Sequence, residues 1–445
     1  MSIFKAYDIR GIVPEELDAR QAGRIGGAAA RFLGASALAV GRDARSHSPE
    51  LAGALAEGLR DQGVEVVDLG LCSTPMLYFG VEHLGLGGGI MVTASHNPAR
   101  YNGFKVCREH AIPVGGDTGL KEIERLASGS LAPRPARGAS RRADVREAYV
   151  DHLLAVGEGR PRLRVAVDCG NGMAAVGLEP LLERLPLEVE RLFFEPDGTF
   201  PNHEADPLKV ENLRDLIQAV QGGGADFGVA FDGDADRAIF VDEHGRPVPS
   251  DLVTALLAGP RLQRHPGGRV LYDLRSSRAT AEAIEAAGGV PEMCRVGHSF
   301  FKARMRETGG IFGGELSGHF YFRFSPTLVA DDGLAAFVAM LDVLDAEGKP
   351  LSELIAPLRR YHASGEISRR VADAAGLMAA IEAEHPDAEI SHLDGLLVCY
   401  PDWWFNLRPS NTEPVLRLNL EAQTQDAMER RRDALVARME AAAGG

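Results

Sequence analysis

The stretch Gly87-Gly88-Gly89-Ile90-Met91-Val92-Thr93-Ala94-Ser95-His96-Asn97-Pro98-Ala99-Arg100-Tyr101-Asn102-Gly103-Phe104-Lys105 carries the reading of the fold. A flexible glycine entry leads into a short apolar run bounded by turn signals, which predicts a buried strand. That strand would deliver Ser95 to its end, and binding groups in open α/β sheets gather at strand ends. His96-Asn97-Pro98 stops the strand, because proline has no N–H to donate and biases its predecessor to extended geometry. A serine with His, Asn and Lys as neighbours on such a loop suits a nucleophile or phosphoryl carrier. Taken alone it reads equally well as an ordinary polar turn, so the weight falls on the rest of the chain.

Outward from this stretch, one design recurs. Residues 4–11 form a short strand closing in a glycine turn, followed by an amphipathic helix over 16–33. Ala37 to Asp43 is a strand ending in Asp, then a polar turn and a helix from Ser48. Leu163 to Asp168 repeats this, with Cys169-Gly170-Asn171-Gly172 as the turn and an Ala/Leu-rich helix to Leu185. Arg269 to Asp273, followed by Leu274-Arg275-Ser276-Ser277, repeats it again. Spacings of roughly one hundred residues predict three related α/β domains. Residues 128–142, rich in Ala, Pro, Ser, Gly and Arg, read as a linker. A second boundary falls near 244–247, and a third follows a long helical region over 332–358. The remainder reads strand, helix, two or three strands and a charged helix over 425–442, a smaller α+β domain with an antiparallel sheet. The expected domains are 1–143, 144–245, 246–358 and 359–445.

At 445 residues the chain exceeds the roughly 250–300 at which single cores stop growing, so several domains are expected. An apolar fraction of 45% with 25% charged residues is that of a soluble globular protein. The net charge of −15 argues against general binding to nucleic acid or a membrane surface, so an anionic substrate needs a local basic pocket. Five scattered cysteines without a C-x-x-C spacing argue against a disulfide framework or zinc site and suit a reducing cytoplasm. The first eight residues lack the build of a signal peptide, and no apolar run approaches the ~18 residues that span a bilayer.

A second motif pairs with Ser95. Ala225 to Phe231 is an apolar strand running into Asp232-Gly233-Asp234-Ala235-Asp236-Arg237. Three carboxylates at alternate positions repel one another unless a cation sits among them, and hard oxygen ligands favour magnesium. Glu243 falls where a calcium loop has its twelfth-position ligand, but Arg237 where that loop needs glycine, and Ala238-Ile239-Phe240-Val241, which reads as a strand instead of a helix, argue against a calcium loop. Gly313-Gly314-Glu315-Leu316-Ser317-Gly318-His319 sets a carboxylate and a hydroxyl two apart, able to accept from and donate to adjacent sugar hydroxyls. Arg408-Pro409-Ser410-Asn411-Thr412-Glu413-Pro414 joins two strands, and its guanidinium, hydroxyls, amide and turn N–H groups suit a dianionic phosphate as well as a plain hairpin. Gly297-His298-Ser299 and Arg275 add donors, and Trp403-Trp404 reads as domain packing.

Taken in order, Tyr7-Asp8-Ile9-Arg10-Gly11, Thr93–Pro98, Asp232–Arg237, Gly314–His319 and Arg408–Pro414 resemble the α-D-phosphohexomutase family, in its phosphomannomutase/phosphoglucomutase branch. The resemblance runs end to end and implies four domains around a central cleft: three related α/β domains with mixed sheets plus a smaller C-terminal α+β domain. It implies that Ser95 is the phosphoserine and that Asp232, Asp234 and Asp236 hold Mg²⁺ with a Ser95 phosphate oxygen. Glu315, Ser317 and Gly318 would recognise the sugar, and Arg408, Ser410, Asn411 and Thr412 the non-reacting phosphate. Tyr7, Arg275 and His298 match substrate-contacting positions, although many relatives of this branch have lysine where Arg275 stands. Arg10, Lys105, Arg237 and His319 match positions near the transferring group, and either Lys105 or His319 could shuttle the hydroxyl proton. Leu316 and Asn411 stand where phosphoglucosamine mutases usually carry glutamine and glycine, which favours the mannose/glucose branch.

The implied reaction moves phosphoryl between O1 and O6 of a hexose through a 1,6-bisphosphate, which also serves as activator. The intermediate must turn over between two transfers, so the last domain is expected to close over the cleft. A phosphoglucosamine mutase, a magnesium-dependent sugar-phosphate phosphatase and a non-catalytic sugar-phosphate binding protein are the competing readings. A cytoplasmic monomer is expected.

Overall fold

The computed structural model describes residues 2–409 and 415–442. Among the described residues the strands gather into four sheets taken in chain order, as alternating strand and helix patterns require. In the first, Gly88–Val92 lies beside Ala37–Arg42, which continues in parallel to Glu65–Leu71 and Ser140–Arg142; on its other side Tyr101–Arg108 and Ile9–Ile12 run antiparallel. The second sheet pairs Arg164–Asp168 in parallel with Glu188–Leu192 and Phe227–Phe231, and Ala238–Asp242 closes it antiparallel. In the third, Arg269–Asp273 lies between Val290–Cys294 and Phe312–Gly314 in parallel, and Phe320–Arg323 and Val329–Asp331 follow antiparallel. The last sheet is antiparallel throughout, with Val415–Ala422 and Trp403–Pro409 at its centre.

Each sheet is mixed or antiparallel for a local reason. Residues 93–100 turn the chain within eight residues, too few for a crossover helix, so Tyr101–Arg108 must return antiparallel. The same holds for Asp232–Arg237, which returns as Ala238–Asp242. Both loops therefore project from the carboxyl end of a buried strand.

One continuous apolar core joins the first three units, running from Leu77 and Tyr149 through Leu178 and Phe227 to Phe320 and Phe337, while the other face of each of their sheets carries a smaller cluster of its own. The helix Gly333–Glu347 packs within the joint core, and its first three turns are buried on nearly every face, as their almost wholly apolar sequence demands. The last unit has a separate core around Trp403, Phe405, Leu418 and Met439. Trp403 packs inside it, stacked on Tyr400 at 5.2 Å, in agreement with a packing role for the tryptophan pair.

Three boundaries differ from expectation. The 128–142 segment is not a free linker: Arg134 and Gly138 donate backbone bonds to Asp61 and Arg60, and Ser140–Arg142 extends the first sheet. Exposed strand edges attract a passing extended chain, and composition does not reveal that. The helical region over 332–358 breaks at Gly348, whose φ of 60° is left-handed, before Leu351–Ile355 resumes. The helix expected from residue 16 starts at Ala19, where Asp18 and Gln21 form a capping box. No described helix is long and apolar enough to cross a membrane.

Candidate active site

Ser95 sits three residues beyond its strand, buried, in the left-handed region at φ 51°. Its amide donates to Thr93 Oγ1 at 2.9 Å, and its carbonyl accepts from Arg45 at 2.8 Å. Arg45 holds the whole loop. One buried guanidinium donates to the carbonyls of Ser95, Asn97, Pro98 and Tyr101 and pairs with Asp43 at 3.0 Å. Strain at Ser95 is thereby over-determined by its surroundings, as a non-glycine left-handed residue requires.

The Ser95 hydroxyl donates to Asp232 Oδ2 at 2.9 Å and lies 3.1 Å from His96 Nδ1. The acidic loop can approach this closely because residue 233 is glycine: a Cβ there would stand 2.4 Å from the Ser95 carbonyl oxygen. Asp232, Asp234 and Asp236 are all buried, and each offers an oxygen within 4.8 Å of the others. Lys105 donates to Asp234 and Asp236, both at 2.6 Å, and Thr74 Oγ1 donates to Asp234 Oδ2 at 2.6 Å. Burial, then the charges of Asp236 and Asp234, push the Asp232 carboxyl well above the usual carboxylate range. Burial also works against ionising Asp236, but above all the Lys105 ammonium holds it well below that range. Lys105 stays an ammonium: burial opposes its charge, and Asp234 and Asp236 together prevail.

Asp234 Oδ1 and Asp236 Oδ1 are buried with no hydrogen-bond partner among the described residues. Two orphaned carboxylate oxygens facing a third acid are a hard-oxygen donor set, and the residues fit a divalent cation.

The third sheet supplies a second wall. Arg237 Nε donates to His319 Nε2 at 3.3 Å, and His319 Nδ1 lies 3.0 Å from Ser317 Oγ. Gly318, at φ 82°, makes the turn between Glu315 and His319. Both Glu315 oxygens are engaged, by the Gly297 N–H at 2.7 Å and by the Tyr321 hydroxyl. Tyr7 reaches this wall from the first unit: its hydroxyl contacts the Val296 carbonyl at 3.4 Å, and its ring meets His298 edge-on at 5.7 Å. Burial, then Lys302 and Lys105, hold His298 well below the usual histidine range, so it is neutral. Arg10 pairs with Asp8 and donates to Asn97 of the serine loop at 2.5 Å. Arg275, two residues past its strand, pairs with Asp273 at 2.8 Å, and Arg408 approaches it from the last sheet across Glu366.

The structure thus gathers Ser95, the three aspartates, Lys105, Arg237, His319 and Arg10 at one end. It gathers Arg275 and Arg408 at another, with Tyr7, His298, Glu315 and Ser317 between. Ser410, Asn411 and Thr412 lie outside the described residues. Sequence reasoning missed Arg45, Thr74 and Tyr321. The acid-x-arginine pair Asp43-Ala44-Arg45 after a strand was the available signal for the first. Ser73-Thr74-Pro75 announces a helix start but not a partner in another domain.

Sequence profiles of the phosphoglucomutase/phosphomannomutase alpha/beta/alpha domains I, II and III match residues 1–131, 147–245 and 249–361, and that of the C-terminal domain matches 366–438. The chain belongs to the phosphoglucomutase/phosphomannomutase family. Membership makes it an enzyme, a hexose phosphate mutase and so an isomerase. Among its relatives in the family, a phosphomannomutase of Salmonella montevideo is 43% identical over 437 residues, covering 95% of each chain. A protein described as phosphohexose mutases, from Xanthomonas campestris pv. campestris, is 42% identical over 433 residues and 96% of each. The crystal structure of a phosphoglucomutase/phosphomannomutase family protein from Burkholderia thailandensis matches with a TM-score of 0.90 at 36% identity, covering 100% of this chain and 98% of that one.

Proposed function

We propose that the protein is a phosphomannomutase that also accepts glucose phosphates, moving phosphoryl between O1 and O6 through phosphoserine 95 and a hexose 1,6-bisphosphate. The observation that carries this is the 2.9 Å bond from the Ser95 hydroxyl to Asp232, which joins the serine loop to the acid trio. A divalent cation of the magnesium kind, held by Asp232, Asp234, Asp236 and a Ser95 oxygen, would supply positive charge against the transferring oxygens.

In the first transfer the Ser95 Oγ–P bond breaks as a bond forms from the free hydroxyl oxygen of the sugar phosphate. The hydroxyl proton goes to His319, whose Nε2 is the ring nitrogen that accepts from Arg237. Lys105, held as an ammonium by two carboxylates, is a source of positive charge and not a base. Arg10 and Arg237 add charge beside the serine loop. Glu315 and Ser317 orient the sugar ring, with Gly318 shaping their turn. Tyr7 and His298 line the path between the two ends, and Arg275, Arg408, Ser410, Asn411 and Thr412 grip the idle phosphate. After the bisphosphate turns, the second transfer returns the other phosphoryl to Ser95. Hexose 1,6-bisphosphate acts as activator by rephosphorylating any free Ser95.

We also place the domains at 1–143, 144–245, 246–358 and 359–445, supported by each sheet falling within one range. We read the setting as cytoplasmic, from five free cysteines, four of them buried, and the active form as a monomer without nucleic-acid or membrane partners, from the net charge of −15.

The test is incubation with mannose 1-phosphate, Mg²⁺ and a trace of hexose 1,6-bisphosphate. The expected product is hexose 6-phosphate without inorganic phosphate, and Ser95→Ala should lose turnover while still binding the sugar phosphate. Stoichiometric phosphate release would instead make the protein a phosphatase. Comparing kcat/KM for mannose, glucose and glucosamine 1-phosphates fixes the sugar.

A further inference from the structure

The acid trio owes its free oxygens to the way its other oxygens are tied. Asp234 Oδ2 accepts from the Thr74 hydroxyl and from the Lys105 ammonium, both at 2.6 Å. Lys105 also donates to Asp236 Oδ2 at 2.6 Å. Each of these two carboxylates thus spends one oxygen on the protein and leaves Oδ1 buried, with no hydrogen-bond partner among the described residues. Asp232 is tied by other means, taking the Ser95 hydroxyl at 2.9 Å and the Arg237 N–H at 3.2 Å. Lys105 is divided between two acids, whereas Thr74 addresses Asp234 twice, since its N–H also donates to the Asp234 carbonyl at 3.0 Å. A threonine at the start of a helix is ordinarily explained as a cap. Here Ser73 caps Thr74–His83, accepting from the Met76 N–H at 3.1 Å, so the helix has no need of the Thr74 hydroxyl. Thr74 and Asp234 are both fully buried and stand in different units, 160 positions apart.

We infer that Thr74 is a positioning residue that makes the trio selective for a small divalent cation: by holding Asp234 Oδ2, it confines that carboxylate to a single oxygen for the ion. This rests on the cation site of the mutase reading above. Calcium gathers about six to eight oxygens and takes a carboxylate by both of them, at about 2.3–2.6 Å. Magnesium demands near-octahedral geometry at about 2.0–2.1 Å and keeps several waters. A carboxylate with one oxygen withheld suits the smaller ion, and a released Oδ2 would let Asp234 close on the larger one. Lys105 cannot replace Thr74 in this, because its charge opposes any divalent cation whatever its size. The neutral hydroxyl sets geometry alone, and partners of metal-ligating groups tune the metal in this way.

Calorimetric titration of Mg²⁺ and, separately, of Ca²⁺ into the phosphatase-treated full-length protein tests this without reliance on turnover. Thr74→Val keeps the volume of the side chain and removes the donor. It should weaken Mg²⁺ binding about tenfold, in the range for losing a partner of a metal-ligating group, while Ca²⁺ binding holds or tightens. The ratio of Mg²⁺ to Ca²⁺ affinity should therefore fall about tenfold or more, and Thr74→Ser, which keeps the hydroxyl, should bring it back to within about twofold of the parent. Equal weakening of both ions, as a merely structural loss would give, overturns the inference. So does unchanged Mg²⁺ binding by folded Thr74→Val, or a Thr74→Ser that fails to restore the ratio. Should Thr74→Val not fold, Thr74→Ala is judged by the same titrations. A parent that binds neither ion sinks the cation site and the inference with it. A parent that binds Mg²⁺ with a Thr74-dependent ratio, yet isomerises no hexose phosphate, sinks the mutase reading alone.

Discussion

Arg45 shows how much one side chain can hold. Its guanidinium is buried beside Asp43 and donates to four carbonyls of the serine loop, while Asp43 also takes the Ser48 hydroxyl. Arg45→Leu fills similar volume but strands a buried carboxylate and four acceptors. Removing one partner of a buried pair costs about 3–5 kcal/mol, and the loop carrying the nucleophile would shift as well. The expected result is an unfolding free energy lowered by that amount and a kcat reduced about a hundredfold or more, with a smaller change in KM. Equilibrium unfolding and steady-state kinetics on the same preparation check both. Ser95 and the aspartates were legible because each is announced by its own neighbours, a strand before and glycine or proline after. Arg45 was not, because what defines its role is the set of carbonyls about fifty residues away in sequence.

Among the elements, the helix Gly333–Glu347 depends on its first residues. Asp332 caps it, accepting from the Ala335 N–H at 3.0 Å and from the Tyr149 hydroxyl at 2.8 Å. Burial pushes this carboxyl up to about 7 despite those bonds. The folded state therefore holds a proton that the unfolded chain has already released, and stability falls as pH rises through the window from about 4 to about 7. The part of that loss lying between pH 5 and pH 8 is roughly 3 kcal/mol. Asp332→Asn keeps a cap without the titration, so its melting temperature relative to the parent should rise steadily over that range. A difference independent of pH would show the carboxyl to be ordinary. Sequence pattern found this helix and most other elements, since periodicity and caps are local. It missed the break at Gly348 and the strand at Ser140–Arg142, the latter made by an edge that only the folded sheet exposes.

For the whole molecule, the last unit meets the third mainly through polar contacts. Arg278 donates to the carbonyls of Tyr400, Pro401 and Trp403, and its N–H donates to Glu421 at 3.0 Å. Because this unit has its own apolar core, such contacts orient it without fusing it to the rest. Arg278→Ala should leave the unit folded but less well held over the cleft. The expected signature is a raised KM for mannose 1-phosphate and several times more inorganic phosphate released per turnover, as water reaches the phosphoserine. An assay that follows hexose 6-phosphate and inorganic phosphate together reads both changes.

The sequence by itself determined the strand-and-loop units, their order, and the residue types at each loop tip, because those features follow from hydrophobic period, turn chemistry and caps within a few residues. Only the tertiary structure decided which tips meet. Ser95 and Asp232 are 137 positions apart, Lys105 and Asp234 are 129, and Arg275 faces Glu366 across a domain boundary. The first two partnerships come from units docked through a shared apolar core and the third from polar contacts between separate cores, and no local pattern encodes where a distant face will settle.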